Sequence, residues 1–153
     1  MEAEQFGALA GRVIARLSRH VEKTLTHHQL SVAQYRLLGL LAEGEDASSR
    51  LAEKAAVTRS SISSVVDALV SRGYVQRGAD QSDRRVLPLT LTPAGTQVLA
   101  EVNVAIGERL GQIVGQLDER RARSVRTGLG DLRIALDRHR DRRLTEITPT
   151  GAS

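Results

Sequence analysis

The side chains best suited to chemistry in this chain are basic or hydroxylic, and they concentrate between residues 48 and 92. That segment carries seven Arg or Lys residues against four Asp or Glu residues, in a chain whose net charge is +4. Twenty of the basic residues in the chain are Arg and two are Lys. Because Arg binds phosphates and guanine edges through paired hydrogen bonds, the segment is suited to binding nucleic acid. A genome that favours Arg codons would also explain the excess of Arg over Lys, so composition alone does not establish nucleic-acid binding.

The composition excludes most other kinds of chemistry. Cysteine is absent, which rules out a disulfide scaffold, a thiolate zinc site and a cysteine nucleophile. The adjacent residues His27 and His28 would point about 100° apart on a helix, which is a poor arrangement for a metal. The sequence has no Gly-x-Ser-x-Gly elbow, no phosphate-binding Gly-rich loop and no plausible Ser/His/Asp set. We therefore expect neither an enzyme nor a cofactor.

Two further features narrow the choice of partner. No apolar run approaches the roughly 18 residues of a membrane span, and no signal peptide is recognisable. We therefore expect a cytoplasmic protein without a membrane partner. The whole chain has one Phe, two Tyr and no Trp, too few for base stacking on aromatic side chains. A nucleic-acid partner should thus be duplex DNA that is read by a helix.

The helices that must position the basic and hydroxylic side chains follow from the spacing of apolar residues. A stripe at three- and four-residue spacing predicts one helix over residues 4–27, and Ser31 is a suitable N-cap for a second helix through Ala42. A short helix over residues 48–57, followed by another from Thr58, has the pattern of a helix-turn-helix. The second helix of this motif turns its apolar residues inward and exposes Arg59, Ser60, Ser61, Ser63 and Ser64.

The segment after the helix-turn-helix is predicted to form a β-hairpin. Leu87, Leu89 and Leu91 alternate with Val86, Pro88 and Thr90, which indicates a strand with one buried face. Proline has no N–H to donate to a ladder, so this strand should lie at an edge. The preceding residues 78–85 are polar and rich in turn formers, and they would form a long charged tip.

The first helix and the two last helices carry narrow apolar stripes that the compact middle of the chain covers only in part. Thr92 and Pro93 start a helix of about 25 residues, and Asp118 caps a last helix that we expect to fray after Arg143. Such stripes are best buried against a second copy of the chain. A two-fold dimer holds two reading helices about 34 Å apart, which is one turn of B-DNA. A monomeric helical bundle is the alternative.

Several motifs in the sequence resemble those of the MarR-type winged helix-turn-helix regulators of bacteria, over about residues 5–140. The most specific begins with Asp83-Arg84-Arg85 and, after five residues, continues with Leu91-Thr92, two more residues and Gly95. This spacing resembles the family signature D-x-R … L-T-x-x-G. Leu51-Ala52-Glu53 resembles the start of the first helix of the motif, and Asp67-x-Leu69 … Gly73-Tyr74-Val75 the end of the second.

The resemblance implies a fold that is mainly α with a small β-hairpin wing (α+β). It implies a winged helix-turn-helix with about six helices in a triangular homodimer. Residues 1–153 would form a single domain of the MarR type. Within it, residues 48–92 would form the winged helix-turn-helix lobe, and residues 4–27 and 93–143 the dimerisation helices.

The function that the resemblance implies is transcriptional regulation at a pseudo-palindromic operator in double-stranded DNA, usually as a repressor relieved by a small ligand. The helix from Thr58 would lie in the major groove, with Arg59 as its strongest contact. Arg85 would enter the minor groove, and Asp83 would orient its guanidinium. Arg84 would point to phosphate or solvent. Contacts that position the protein on phosphates are expected from Ser49, Arg72 and Arg77.

A small aromatic or anionic effector would bind between the DNA-binding lobe and the dimer helices. The candidate lining residues are His20, His27, Tyr35 and Arg36. Arg36 could hold an organic carboxylate or phenolate, although a surface salt bridge is the alternative for this residue. For the whole protein, the alternative function is that of a sequence-indifferent architectural DNA-binding protein or a helical interaction module. Such a protein would share the basic face but prefer no operator.

Overall fold

The computed structural model describes residues 3–44, 59–78 and 88–147, with side chains described in 3–44, 62–78 and 88–139. Along the chain these residues form α1 (Ala3–His27), α2 (Val32–Ala42), α3 (Arg59–Ser71), β1 (Val75–Arg77), β2 (Leu89–Leu91), α4 (Pro93–Val114) and α5 (Glu119–Ile147). The mainly α fold with a small hairpin is thus confirmed. Five helices lie in the described part of the chain, and the further helix expected over residues 48–57 lies outside it.

The chain divides into two compact units, residues 1–109 and residues 110–153. The first unit holds α1, α2, α3, the hairpin and most of α4. The second holds the end of α4 and all of α5. The interpretation of residues 1–153 as one domain with a separate lobe and dimerisation helices stays a prediction.

One apolar core joins the elements of the first unit. It draws residues from the C-terminal end of α1 and from α2, α3, both strands and α4. The buried side chains are Leu25, Leu30, Leu37, Leu38, Leu40, Leu41, Ile62, Val66, Leu69, Val75, Leu89, Val98, Leu99 and Val102. Full burial of a side chain of this kind contributes about 1.5–3 kcal/mol. The core therefore determines which side of α3 faces solvent.

Short-range signals in the sequence set the start of α2, as predicted. The backbone N–H of Gln34 donates to the Ser31 hydroxyl at 3.1 Å, and the backbone N–H of Ser31 donates to the Gln34 side chain at 2.8 Å. This reciprocal pair is a capping box, which satisfies two N–H groups that have no partner inside the helix.

The hairpin pairs its two strands in antiparallel register, with Val75 opposite Leu91 and Arg77 opposite Leu89. Val75 and Leu89 are buried, so the strand predicted from the alternating leucines has its expected apolar face. The N–H of Gly78 donates to the Pro88 carbonyl at 2.7 Å. Proline can accept at that position although it cannot donate, and the pairing therefore continues one step toward the tip.

The second unit begins α5 at the predicted cap, because the N–H of Arg121 donates to the Asp118 carboxylate at 2.9 Å. Val114 and Ala122 are buried, whereas much of the rest of α5 is exposed. The helix continues to Ile147, beyond the Arg143 boundary after which the sequence predicts a frayed tail.

Candidate nucleic-acid interface

The exposed face of α3 is the surface that the sequence assigns to the major groove. Ser63 and Ser64 are exposed on it, while Ile62, Val66 and Leu69 are buried on the opposite face. Arg59, Ser60 and Ser61 form the first turn of the helix. The structure therefore places all five candidate residues on one short helix, with Ser63 and Ser64 on the face opposite the core.

Four of the predicted DNA contacts lie outside the described residues. They are Ser49, ahead of α3, and the wing residues Asp83, Arg84 and Arg85. What the structure does describe is the base of the wing, where β1 and β2 pair between α3 and α4. The assignments of these four residues stay predictions.

A tight turn ends α3 and leads directly into β1. Gly73 has a φ of +71°, a left-handed conformation that glycine adopts without a steric penalty. Its N–H donates to the Val70 carbonyl, and the N–H of Tyr74 donates to the Leu69 carbonyl, both at 2.9 Å. This pair of bonds is a Schellman motif, which satisfies the last carbonyls of a helix. The Gly73-Tyr74-Val75 motif thus ends the reading helix and leads into β1.

The C-terminus of α1 ends in the same way. Gln29 has a φ of +56°, its N–H donates to the Thr26 carbonyl at 3.0 Å, and the N–H of Leu30 donates to the Leu25 carbonyl at 2.9 Å. Leu25 and Leu30 are both buried, which supplies the apolar contact that often accompanies this motif. The turn presents the carbonyls of His28 and Gln29, at the negative end of the helix dipole.

Arg72 connects these two helix ends. Its guanidinium donates to the Gln29 carbonyl at 2.5 Å and to the His28 carbonyl at 3.5 Å. It also donates to the Tyr74 hydroxyl at 3.2 Å, and its central carbon lies 4.7 Å from the centre of the Tyr74 ring. The sequence singles out Arg72 as a phosphate contact and gives no sign of these partners. That role stays a prediction.

Thr92 and Gly95 bring the start of α4 to the same turn. The Thr92 hydroxyl donates to the Gly73 carbonyl at 2.6 Å and accepts from the N–H of Gly95 at 3.0 Å. A Cβ atom at residue 95 would lie 2.9 Å from the Tyr74 carbonyl carbon and would overlap its oxygen. The L-T-x-x-G part of the signature is therefore explained by a helix cap and a close approach of two backbones.

Arg77, another expected phosphate contact, lies at the end of β1 and pairs with Asp67 of α3 at 2.5 Å. Both side chains are well exposed, at 45% and 64%, so the pair contributes about 0–1 kcal/mol. Its main effect is geometric, because it ties the base of the wing to the reading helix. Whether Arg77 also contacts DNA stays a prediction.

Two of the four effector candidates contact α4. The Tyr35 hydroxyl donates to the Asn103 side chain at 2.8 Å, and burial raises the pKa of Tyr35 above its ordinary value. The side chain of Arg109 donates to the Nδ1 atom of His20 at 3.4 Å. Asn103 and Arg109 are residues that reasoning from the sequence missed, because nothing local distinguishes them from other polar residues on a helix.

The other two effector candidates stand apart. His27 contacts its own helix, with its Nδ1 atom 2.7 Å from the Lys23 carbonyl. Arg36 is exposed on α2. The structure thus connects α1 and α2 to α4 through His20 and Tyr35. The grouping of all four residues around one ligand stays a prediction.

Neither a metal site nor a membrane span is found in the described part of the chain. There, no three His, Asp or Glu side chains come together as metal ligands. Nor does any helix in those ranges have the length and apolar character needed to cross a bilayer.

Comparison with known proteins gives the class of this fold. A family model described as MarR family matches residues 28–86. Apo wild-type MarR from Escherichia coli shares 20% identity and a TM-score of 0.72, covering 82% of this chain and 94% of that one. The Mycobacterium tuberculosis MarR family protein RV2887, in complex with salicylic acid, shares 27% identity and a TM-score of 0.67, with coverage of 82% and 94%.

A DNA complex is also among the similar structures. A MepR variant from Staphylococcus aureus bound to an oligodeoxyribonucleotide shares 18% identity and a TM-score of 0.63. That match covers 86% of this chain and 97% of the other. No curated protein matches the sequence significantly.

The reading helix, its anchored core face and the adjoining hairpin define a winged-helix DNA-binding protein. Residues 28–86 match the family model, and the fold of most of the chain is similar to that of MarR proteins. This similarity supports a DNA-binding transcriptional regulator. Regulators of this family are not enzymes, which agrees with the expectation from the sequence.

Proposed function

We propose that the protein is a homodimeric repressor that binds a pseudo-palindromic operator and is released from it by a small aromatic or anionic ligand. The observation that carries this proposal is the exposed, serine-bearing face of α3, held in place by Ile62, Val66 and Leu69. A repressor acts on the chromosome, so a cytoplasmic location belongs to the same proposal.

The DNA contacts in this proposal fall into two groups. In the major groove, Arg59 makes the strongest contact and small hydroxyls allow the helix to lie deep; the others there are Ser60, Ser61, Ser63 and Ser64. In the second group, Arg85 enters the minor groove with its guanidinium oriented by Asp83. Ser49, Arg77 and Arg84 contact phosphates and set the register of the protein on the duplex.

The proposed dimer rests on apolar side chains that each unit leaves exposed. In α1, Phe6, Leu9, Val13 and Ile14 are 46–60% exposed. In α5, the large apolar side chains left exposed are Val125, Leu129, Leu132, Ile134 and Leu136. A monomer rarely exposes large contiguous apolar patches, so a second copy is the partner that suits these helices.

The ligand part of the proposal draws on RV2887, whose structure contains salicylic acid, and on the half-buried phenol of Tyr35. A molecule with an aromatic ring and a carboxylate suits a site that combines this phenol with His20, His27 and Arg36. Ligand binding there would favour a lobe arrangement that no longer fits the operator.

Footprinting on the upstream region of the protein's own gene tests the proposal, because such regulators commonly lie beside their targets. The protected fragment is then competed against bulk DNA at near-physiological salt. A specific regulator should prefer its site by about 10³-fold or more. Equal affinity for both DNAs would instead support the sequence-indifferent architectural protein.

A further inference from the structure

Arg72 lies where the C-termini of two helices meet. It follows the last residue of α3, and the Schellman turn at Gly73 comes directly after it. Its guanidinium donates to the carbonyls of His28 and Gln29, which form the corresponding turn of α1. The positive charge is therefore placed at the negative end of the α1 dipole, where a cation is favourable.

Both terminal nitrogens of this guanidinium donate to groups of the protein. One terminal nitrogen donates to Gln29, and the other donates to His28 and to the Tyr74 hydroxyl, with the Tyr74 ring 4.7 Å away. Arg72 itself is half-buried. A paired contact to a DNA phosphate would have to displace one of these bonds, because either pair of parallel donors in the planar guanidinium includes the nitrogen that already donates to His28 and Tyr74.

We propose that Arg72 is a positioning residue for operator recognition, which sets the angle between the reading helix and α1 without contacting DNA. The inference rests on the proposed dimer, in which α1 is part of the interface. Two reading helices reach two half-sites only if each is held at a defined angle to that interface. Arg72 joins α3 to α1 by bonds across 43 residues of chain.

The proposal separates two kinds of DNA binding. Binding by one lobe to one half-site needs only an intact reading helix. Simultaneous binding of both lobes also needs the correct angle, because the second contact depends on its effective concentration at the second half-site. Removal of a positioning residue should therefore weaken binding to the complete operator and leave a single half-site unaffected.

The test compares Arg72→Ala with the unmodified protein on two duplexes: the footprinted upstream fragment, and the same fragment with one half-site scrambled. Affinity is measured over a range of salt concentrations. We expect about tenfold weaker binding to the intact fragment, unchanged binding to the scrambled one, and an unchanged slope of log K against log[salt]. Arg72→Lys, which keeps the charge at the α1 terminus, should recover part of the affinity.

Arg85→Ala serves as the matched control, because Arg85 is a proposed DNA contact. It should weaken binding to both duplexes and reduce the salt slope. If Arg72→Ala also weakens binding to both fragments, and its salt slope falls by about 0.9 for each phosphate that is no longer bound, Arg72 binds phosphate and the inference is wrong. Thermal unfolding of each variant identifies any weakening that comes from a smaller folded fraction.

A second measurement needs no DNA, so it distinguishes failure of this inference from failure of the proposed function. The chain has no cysteine, and spin labels can be attached to Lys23→Cys in α1 and Ser63→Cys in α3, both exposed positions. Pulsed electron spin resonance should show a broader distance distribution when Arg72→Ala is added, and no change with Arg85→Ala. An unchanged distribution in the Arg72 variant would overturn the inference even if the protein binds its operator as proposed.

Discussion

A methyl group at residue 95 would overlap the Tyr74 carbonyl oxygen, so this glycine is required by a contact between backbones. Gly95→Ala should lower the free energy of unfolding by about 1–3 kcal/mol or more, because one of the two backbones must move. Gly107→Ala in the same helix is the matched control, since a Cβ atom there would meet nothing within 4 Å among the described residues. The control should be neutral or stabilising by up to about 1 kcal/mol.

Urea or guanidinium unfolding curves of both variants provide the comparison. Equal stability of the two alanine variants would contradict the close approach of α4 to the end of α3. It would also leave the glycine of the L-T-x-x-G motif without a physical explanation.

The phenol of Tyr35 has a pKa raised above its ordinary value of 10.0 because burial disfavours the phenolate. The unfolded chain therefore loses this proton before the folded chain does. The stabilising effect of the neutral phenol is complete below pH 10.0, the ordinary pKa, and it is lost as the pH rises from there through the folded-state pKa. The stability of the protein should fall across that alkaline range.

This titration can be followed separately, because the chain has two tyrosines and Tyr74→Phe leaves Tyr35 as the only phenol. Phenolate absorbance of the folded variant should rise at a higher pH than in the same variant unfolded in guanidinium. A folded midpoint at or below the unfolded one would argue against a buried Tyr35 held by Asn103.

At the scale of the element, the buried face of α3 should contribute to stability and its exposed face to DNA binding. Leu69 is fully buried, and Leu69→Ala should cost about 2–5 kcal/mol of unfolding free energy through the cavity it leaves. Ser63 is exposed on the other face. Ser63→Ala should change stability by less than about 0.5 kcal/mol while weakening binding to the footprinted fragment.

Denaturant unfolding and fragment binding are measured on both variants. The proposal for α3 requires that Leu69→Ala lowers stability and that Ser63→Ala weakens DNA binding without lowering stability. If Ser63→Ala destabilised the protein as much as Leu69→Ala, the exposed face of α3 would have to be part of the core instead.

At the scale of the whole molecule, the prediction concerns assembly. The double substitution Leu9→Lys and Val13→Lys puts two charges into the proposed apolar interface, where an unpaired charge is costly to bury. Analytical ultracentrifugation should then find the 16.6 kDa chain as a monomer where the unmodified protein is a dimer. Ser18→Lys, an exposed position on the same helix, should remain dimeric.

Operator affinity should follow the oligomeric state in these variants, because two half-sites need two lobes. If the unmodified protein is itself a monomer, the result would instead support the monomeric helical bundle, which is the alternative that the sequence left open. It would also require another explanation for the exposed apolar side chains of α1 and α5.

The local elements could be predicted from the sequence because their causes are local. Apolar spacing indicated α1, α2 and α3; Ser31 and Asp118 marked helix starts; and the alternating leucines indicated β2. The end of α5 was missed, because the residues directly after Arg143 are compatible with either a helix or a frayed tail. In the structure the helix extends to Ile147.

The polar contacts at the end of α3 could not be predicted, because they join different elements and no local pattern marks the partners. Arg72 and Arg77 had the same apparent role as basic residues near a reading helix. In the tertiary structure Arg72 donates to the carbonyls of Gln29 and His28, whereas Arg77 donates to the carboxylate of Asp67. Patterns of residue type determined which helices form and which faces are apolar. Only the packing of α1 and β1 against α3 decided which polar groups each arginine meets, since those distances depend on tertiary contacts.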